Sequence, residues 1–199
     1  MAAPVSWRQT LSVRWSRPEA LRPALMSPPV IIDEYRTRPG VQLTPPLLRH
    51  YILQQLGKVP GSVMWDVGAG SGAMAIEWKI ARPEARVIAI EHDIERCEDI
   101  AYNAFVRKVH VDILHADGAA MPAALPRPDM IWHGCPGESG IDLFPGLWER
   151  LLPHGWMATN AVSALGVERM QSASKRYGGL VTVHAGYDPA RHFWMARKA

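Results

Sequence analysis

Cysteine is nearly missing from this chain. Only Cys97 and Cys135 occur among 199 residues, and they form no CxxC pair. That excludes a disulfide framework and leads us to expect two reduced thiols in a cytoplasmic protein. Long apolar runs are missing too. None approaches the ~20 residues that a membrane helix requires, so no membrane partner is expected. No internal repeat and no second domain are evident. No run of Lys and Arg interleaves with aromatics, and no Asn-Pro-Pro-Tyr-like base-amine motif occurs. Both absences weigh against a nucleic-acid substrate. No Ser–His–Asp set or metal cluster stands out, so no metal is expected and no catalytic residue is singled out.

What is present describes a soluble globular chain. Hydrophobic residues make up 48% and charged residues 21%, and the length suits one domain of about 100–200 residues. The net charge is +3 and the sequence pI about 9.0. A mildly basic chain suits a polyanionic partner, whether nucleic acid or a small molecule with several carboxylates, although many chains are simply basic. Eight tryptophans imply large flat apolar surfaces, in the core or around an aromatic substrate.

Residues 1–32 read as an N-terminal arm and 33–199 as the domain. The arm holds Arg8, Arg14, Arg17 and Arg22 against one acid, Glu19. Its Arg-rich start resembles a transit peptide, but Pro18 and Pro23 break any long amphipathic helix. A flexible arm, or one packing on a neighbouring subunit, is the expectation. Next, Thr44 suits an N-cap and Pro45 a first helical position, opening a helix that Gly57 and Pro60-Gly61 end. From residue 62 onward strands and helices alternate. Strands are expected over 63–67, 86–90, 109–114, 128–132 and 156–160, with helices over 72–81, 94–106, 143–152 and 164–177. Two last strands, 180–185 and 192–196, are too close for a parallel crossover and must form an antiparallel hairpin. The pattern predicts an α/β fold: a doubly wound, mostly parallel seven-stranded sheet, covered on both faces and finished by that hairpin.

The stretch Met64-Trp65-Asp66-Val67-Gly68-Ala69-Gly70-Ser71-Gly72 organises the rest. It reads as a buried strand, a tight turn and a helix start whose unpaired N–H groups suit a nucleotide-like ligand. Gly68-x-Gly70-x-x-Ala73 also satisfies the dinucleotide pattern, so the glycines alone leave NAD and S-adenosylmethionine (SAM) open. Three acids favour SAM. Asp66 ends the first strand, where it can take loop amides or a ligand ammonium, whereas it would repel a pyrophosphate. Glu91 ends the second strand, placed to accept both ribose hydroxyls. Asp117-Gly118 follows the third, where adenine would lie. Asp66 could instead simply cap the loop and Glu91 be a solvated strand end, yet ligands of open α/β sheets bind at these strand ends. The cofactor set read from these residues is Asp66, Gly68, Ala69, Gly70, Ser71, Gly72, Glu91, Asp117 and Gly118.

Asp66 to Gly72 with Ile76-Glu77-Trp78, then Ala89-Ile90-Glu91, then Asn160-Ala161-Val162 resemble the precorrin methyltransferases of the cobalamin pathway, the CbiT type and the C-terminal half of CobL. Thr44 to Arg49 looks like that family's Thr-x-x-x-x-Arg entry helix, and the resemblance covers roughly residues 33 to 170. It implies methylation of a tetrapyrrole at carbon 15, with decarboxylation of the acetate side chain on carbon 12, in a homo-oligomer, usually a tetramer. It also implies SAM contacts on Thr44, Gly68 to Gly72, Glu91 and Gly118. Arg36, Arg38 and Arg49 are candidates to pair substrate carboxylates, and His133, Gly134 and Asn160 to line the substrate site. His133 and His192 are weighed as a proton-handling pair.

The chain departs from the family at two places. His133-Gly134-Cys135-Pro136-Gly137-Glu138 keeps only part of a glycine run, and the connection between the last two strands is short. Three other readings remain: a close relative with a different small-molecule substrate, a tRNA or RNA methyltransferase of the same fold, and a non-catalytic SAM-binding subunit.

Overall fold

The computed structural model describes residues 34–39, 43–56, 63–134, 141–184, 186 and 190–199. The arm over 1–32 and the loop over 135–140 lie outside these residues. The helices are α1 (Pro46–Leu56), α2 (Ala73–Ala81), α3 (Ile94–Val106), α4 (Phe144–Arg150) and α5 (Ala164–Tyr177). The strands are β1 (Val63–Val67), β2 (Arg86–Glu91), β3 (Asp112–His115), β4 (Met130–His133), β5 (Trp156–Ala161), β6 (Leu180–His184) and β7 (Arg191–Arg197).

These strands form one seven-stranded sheet in the order β3-β2-β1-β4-β5-β7-β6. The first five are mutually parallel, and β7 runs antiparallel to both β5 and β6. The expected doubly wound sheet with an antiparallel hairpin is therefore what the chain forms. Side-chain alternation along each strand divides the core. Met64, Val87, Met130, Ala158 and Phe193 pack with α1, α2 and α3. Trp65, Val67, Ile88, Ile131, Met157 and Trp194 pack with α4 and α5. Trp65, Trp78, Trp132 and Trp194 are fully buried, and Trp148 and Trp156 are partly buried against the core. Among the described residues no helix is long and apolar enough to cross a membrane.

Caps fix the helix starts. Asp93 Oδ1 accepts from the Glu95 and Arg96 N–H groups to start α3, and Ser163 Oγ accepts from Gly166 N to start α5. Both helices have the bounds expected from sequence. β3 does not. Lys108 turns left-handed at φ 55° and Val109 N bonds back to Ala104 O, so the exit from α3 consumes residues expected in the strand. Pairing starts at Ile88 with Asp112. Helix α1 starts at Pro46, one residue later than expected, with Arg49 N on Pro45 O.

Candidate active site

The parallel strands deliver their C-terminal ends to one edge of the sheet, and the glycine loop crosses that edge after β1. Gly68, Gly70 and Gly72 have φ of 72°, 58° and 76°, conformations that a β-carbon makes costly. The loop is held by backbone. Gly68 N and Ala69 N both donate to Ile90 O of β2, and Gly72 N donates to Ala69 O. Gly72 is the N-cap of α2 and has no side chain to cap it. Asp66 supplies the missing acceptor from β1: its Oδ2 takes the Ala75 N–H at 2.9 Å. Its Oδ1 is buried without a hydrogen-bond partner. Burial raises the Asp66 pKa to about 7, against the Ala75 amide, and the Glu91 charge adds to the rise.

Glu91 is 1% exposed and is already engaged. Its Oε2 accepts Gly70 N–H at 2.8 Å. Its Oε1 accepts His92 N and Asp93 N at 3.0 and 3.1 Å and lies 2.9 Å from His92 Nδ1. The acid expected to be open for ribose is thus first of all a brace between β2 and the glycine loop. Asp117 is exposed and organises its own turn, its Oδ1 accepting Ala119 N at 2.8 Å. A β-carbon at Gly118 would meet Leu143 Cδ1 at 2.9 Å and Val67 Cγ1 at 3.2 Å, so glycine allows the turn to lie over the end of β1. The Ser71 hydroxyl is buried without a hydrogen bond.

The ends of β4 and β5 complete the edge. Asn160 Nδ2 donates to Thr44 Oγ1 at 3.2 Å, which brings together two expected site residues 116 positions apart. His133 is 2% exposed, lies edge-on to Phe144 with ring centroids 5.2 Å apart, and has no hydrogen bond at Nδ1. Burial pulls its pKa down to about 4, although the Val67 backbone opposes that shift, so it is neutral at physiological pH. His192 is half-buried on β7, opposite Ala161. Gly134 N donates to Val67 O, and a β-carbon there would strike Gly68 O at 2.6 Å.

The arginines depart from expectation. Arg49 is 1% exposed and its Nε donates to Glu77 Oε1 of α2 at 2.9 Å; it also donates to Thr44 O. It ties α1 to α2 through a buried ion pair. Arg36 and Arg38 converge on Asp99 of α3, with Nε–carboxylate distances of 2.9 and 3.2 Å. Arg38 also reaches Glu98, and Arg36 lies over the Tyr102 ring. Each cation expected to await substrate carboxylates has protein carboxylates beside it.

Two residues that sequence reasoning missed hold this region together. Asn103 of α3 is buried. Its Nδ2 donates to Ser71 O and to Arg36 O, both at 2.9 Å, and its Oδ1 accepts Arg36 N at 2.9 Å. Tyr35 Oη donates to Glu77 Oε1 at 3.1 Å. The signal for Asn103 was its place on the apolar face of an amphipathic helix, where a residue with poor helix propensity needs a reason to be.

The sheet order, the terminal antiparallel strand and the glycine loop together define the class I SAM-dependent methyltransferase fold. Within that class, the chain belongs to the precorrin methyltransferase domain family, which it matches over residues 36–190. It is 35% identical over 124 residues to precorrin-6Y C(5,15)-methyltransferase [decarboxylating] of Sinorhizobium sp, covering 61% of this chain and 30% of that protein. To the protein of the same name from Mycobacterium tuberculosis it is 34% identical over 142 residues, covering 69% and 35%. The chain spans about a third of the length of the curated relatives it matches. Among solved structures, precorrin-6y C5,15-methyltransferase from Geobacter metallireducens superimposes with TM-score 0.72 at 24% identity, covering 86% of this chain and 97% of that one. The C-terminal domain of the Rhodobacter capsulatus enzyme gives TM-score 0.69 at 22% identity, covering 88% and 100%. At these identities the structures show the shared fold.

Proposed function

We propose that this domain is a SAM-dependent C-methyltransferase acting on a precorrin-type tetrapyrrole, at carbon 15 and with decarboxylation, in cobalamin biosynthesis. The observation that carries the reading is the loop of three left-handed glycines braced by Glu91 through Gly70 N–H, in a chain of the precorrin methyltransferase family. The residues present fit SAM. Asp66 Oδ1 is a buried acceptor without a donor, which suits an ammonium. Glu91 Oε2 receives the Gly70 N–H and has a second lone pair for a ribose hydroxyl. Gly118 lets the turn after β3 lie against Val67 at the end of β1, where a β-carbon would meet the Leu143 and Val67 side chains. NAD fits less well, since its pyrophosphate at the glycine loop would lie by the buried Asp66 carboxylate.

Bound SAM supplies an electrophilic methyl group on a sulfonium. The chain's own residues position and enclose. Backbone of the loop and Glu91 fix the nucleoside, while Thr44 and Asn160 join the entry helix to the end of β5 beside it. Neutral, buried His133 and Phe144 keep the end of β4 dry. An electron-rich macrocycle needs no activated nucleophile from the protein, so orientation and water exclusion are the main contributions.

The test is methyl transfer from labelled SAM to a precorrin mixture and, in parallel, to bulk tRNA, with carbon dioxide release followed. Label in a tetrapyrrole together with carbon dioxide is expected. Label in RNA, or in neither, overturns the reading.

A further inference from the structure

Residues 34–38 form no helix or strand, yet they run along α3 beside the glycine loop. Their order comes from side chains on other elements. Arg107 donates to Glu34 O, Tyr35 bonds Glu77, and Asp99 takes Arg36 and Arg38. Tyr35 alone packs against the core; the rest of the segment is held by polar contacts at the surface, and a stretch so held belongs to the part of a fold that opens at lower cost than the core.

One residue joins this segment to the loop. Asn103 has two amide hydrogens and spends one on Ser71 O and the other on Arg36 O, while its carbonyl takes Arg36 N. Three short bonds lock the amide in one orientation. When the segment leaves, the amide loses two of its three partners. Nothing in the side chain itself then fixes the hydrogen that holds Ser71, the residue between Gly70 and Gly72.

We propose that Asn103 is a positioning residue that couples docking of residues 34–38 to the set of the glycine loop, so that cofactor binding and segment docking favour each other. The proposal rests on the cofactor reading above. It has a reciprocal consequence: if docking raises SAM affinity, SAM must stabilise docking by the same factor. Asp99 provides the means of separation, because it holds Arg36 and Arg38 without touching the loop.

The experiment uses the full chain and two readouts other than turnover. Amide hydrogen exchange of residues 34–38 is followed with and without SAM, and SAM affinity is measured by calorimetry for wild type, Asp99→Asn, Asn103→Ala and the double variant. Coupling predicts slower exchange of 34–38 with SAM by about 5-fold or more. It also predicts weaker SAM binding by Asp99→Asn, and a double variant less impaired than the product of the two single losses. If SAM binds wild type while exchange of 34–38 is unmoved and Asp99→Asn keeps its affinity, Asn103 is only a structural residue and the proposal fails. If wild type does not bind SAM at all, the cofactor reading fails and takes the coupling with it. The wild-type exchange experiment needs no variant to fold.

Discussion

The ends of β1 and β2 and the ends of β4 and β5 lie on one edge of one sheet and are built on different plans. At β1 and β2 backbone meets carboxylate: three left-handed glycines, Ile90 O taking two loop amides, Glu91 taking Gly70 N–H and Asp66 taking Ala75 N–H. At β4 and β5 single side chains meet one another, Asn160 on Thr44 and His133 against Phe144. A backbone-built site tolerates exchange of most surrounding side chains and depends on residue types that give a backbone its shape. A side-chain-built site changes specificity with each substitution. The first plan suits a cofactor common to a class of enzymes, and the second suits the substrate that separates its members.

The largest effect tests which of these regions owns Arg49. Its pairing with Glu77 places it under α2, the helix that the glycine loop feeds. Arg49→Met leaves Glu77 buried with only the Tyr35 hydroxyl from its former bonds, and should cost about 3–5 kcal/mol in urea unfolding. Changing Glu77 to Met as well should return much of that. A loss confined to the tetrapyrrole KM, with stability unchanged, would place Arg49 at the substrate end after all.

Next in size, Gly134→Ala puts a carbon 2.6 Å from Gly68 O, so the end of β4 pushes on the loop of β1. We expect about 1–3 kcal/mol lost in stability, as for other overpacked sites, and weaker SAM binding with it. Glu91→Ala should weaken SAM binding by roughly 1–3 kcal/mol, through lost charge-assisted hydrogen bonds and an unbraced Gly70. The same calorimetry on His133→Leu should move the affinity less than about twofold. Equal losses in the two variants would erase the distinction between the regions.

That distinction also explains what could be read before any coordinates. The β–α alternation, the hairpin, the glycine loop and the acids at the strand ends are consequences of local backbone chemistry, so residue type and spacing suffice to find them. Helices α3 and α5 have the bounds expected from sequence, and Asp93 and Ser163 cap their starts. The carboxylates beside Arg36, Arg38 and Arg49 could not be read in the same way, because a cation's partner depends on tertiary distance. Asp99 is 61 positions from Arg38 and Glu77 is 28 from Arg49, and no periodicity links them. Asn103 was overlooked for the same reason, since two of its three bonds reach 67 residues back.

The smallest effect is a difference in pH dependence between two buried titratable groups, one taken from each region. Asp66 has its pKa raised from 3.8 to about 7 in the folded state. As pH rises through that window the unfolded chain has released a proton that the folded chain keeps, so this group makes stability fall with rising pH. His133 has its pKa lowered from 6.5 to about 4. As pH drops through that window the unfolded chain gains a proton that the folded chain refuses, so this group makes stability fall with falling pH. Between pH 4 and 6.5 the two slopes oppose each other, each bounded by about 1.4 kcal/mol per pH unit. Urea midpoints of His133→Leu, compared with wild type from pH 6.5 down to 4.5, should therefore gain on acidification, and those of Asp66→Asn should lose. Saturating SAM sharpens the contrast. A ligand ammonium on Asp66 Oδ1 favours the carboxylate, so SAM should flatten the Asp66 slope, bind more tightly as pH rises toward 7, and leave the His133 slope in place. An Asp66 slope that persists with SAM bound would mean that the carboxylate serves only to cap α2, and the fit of an ammonium at the end of β1 would have to be abandoned.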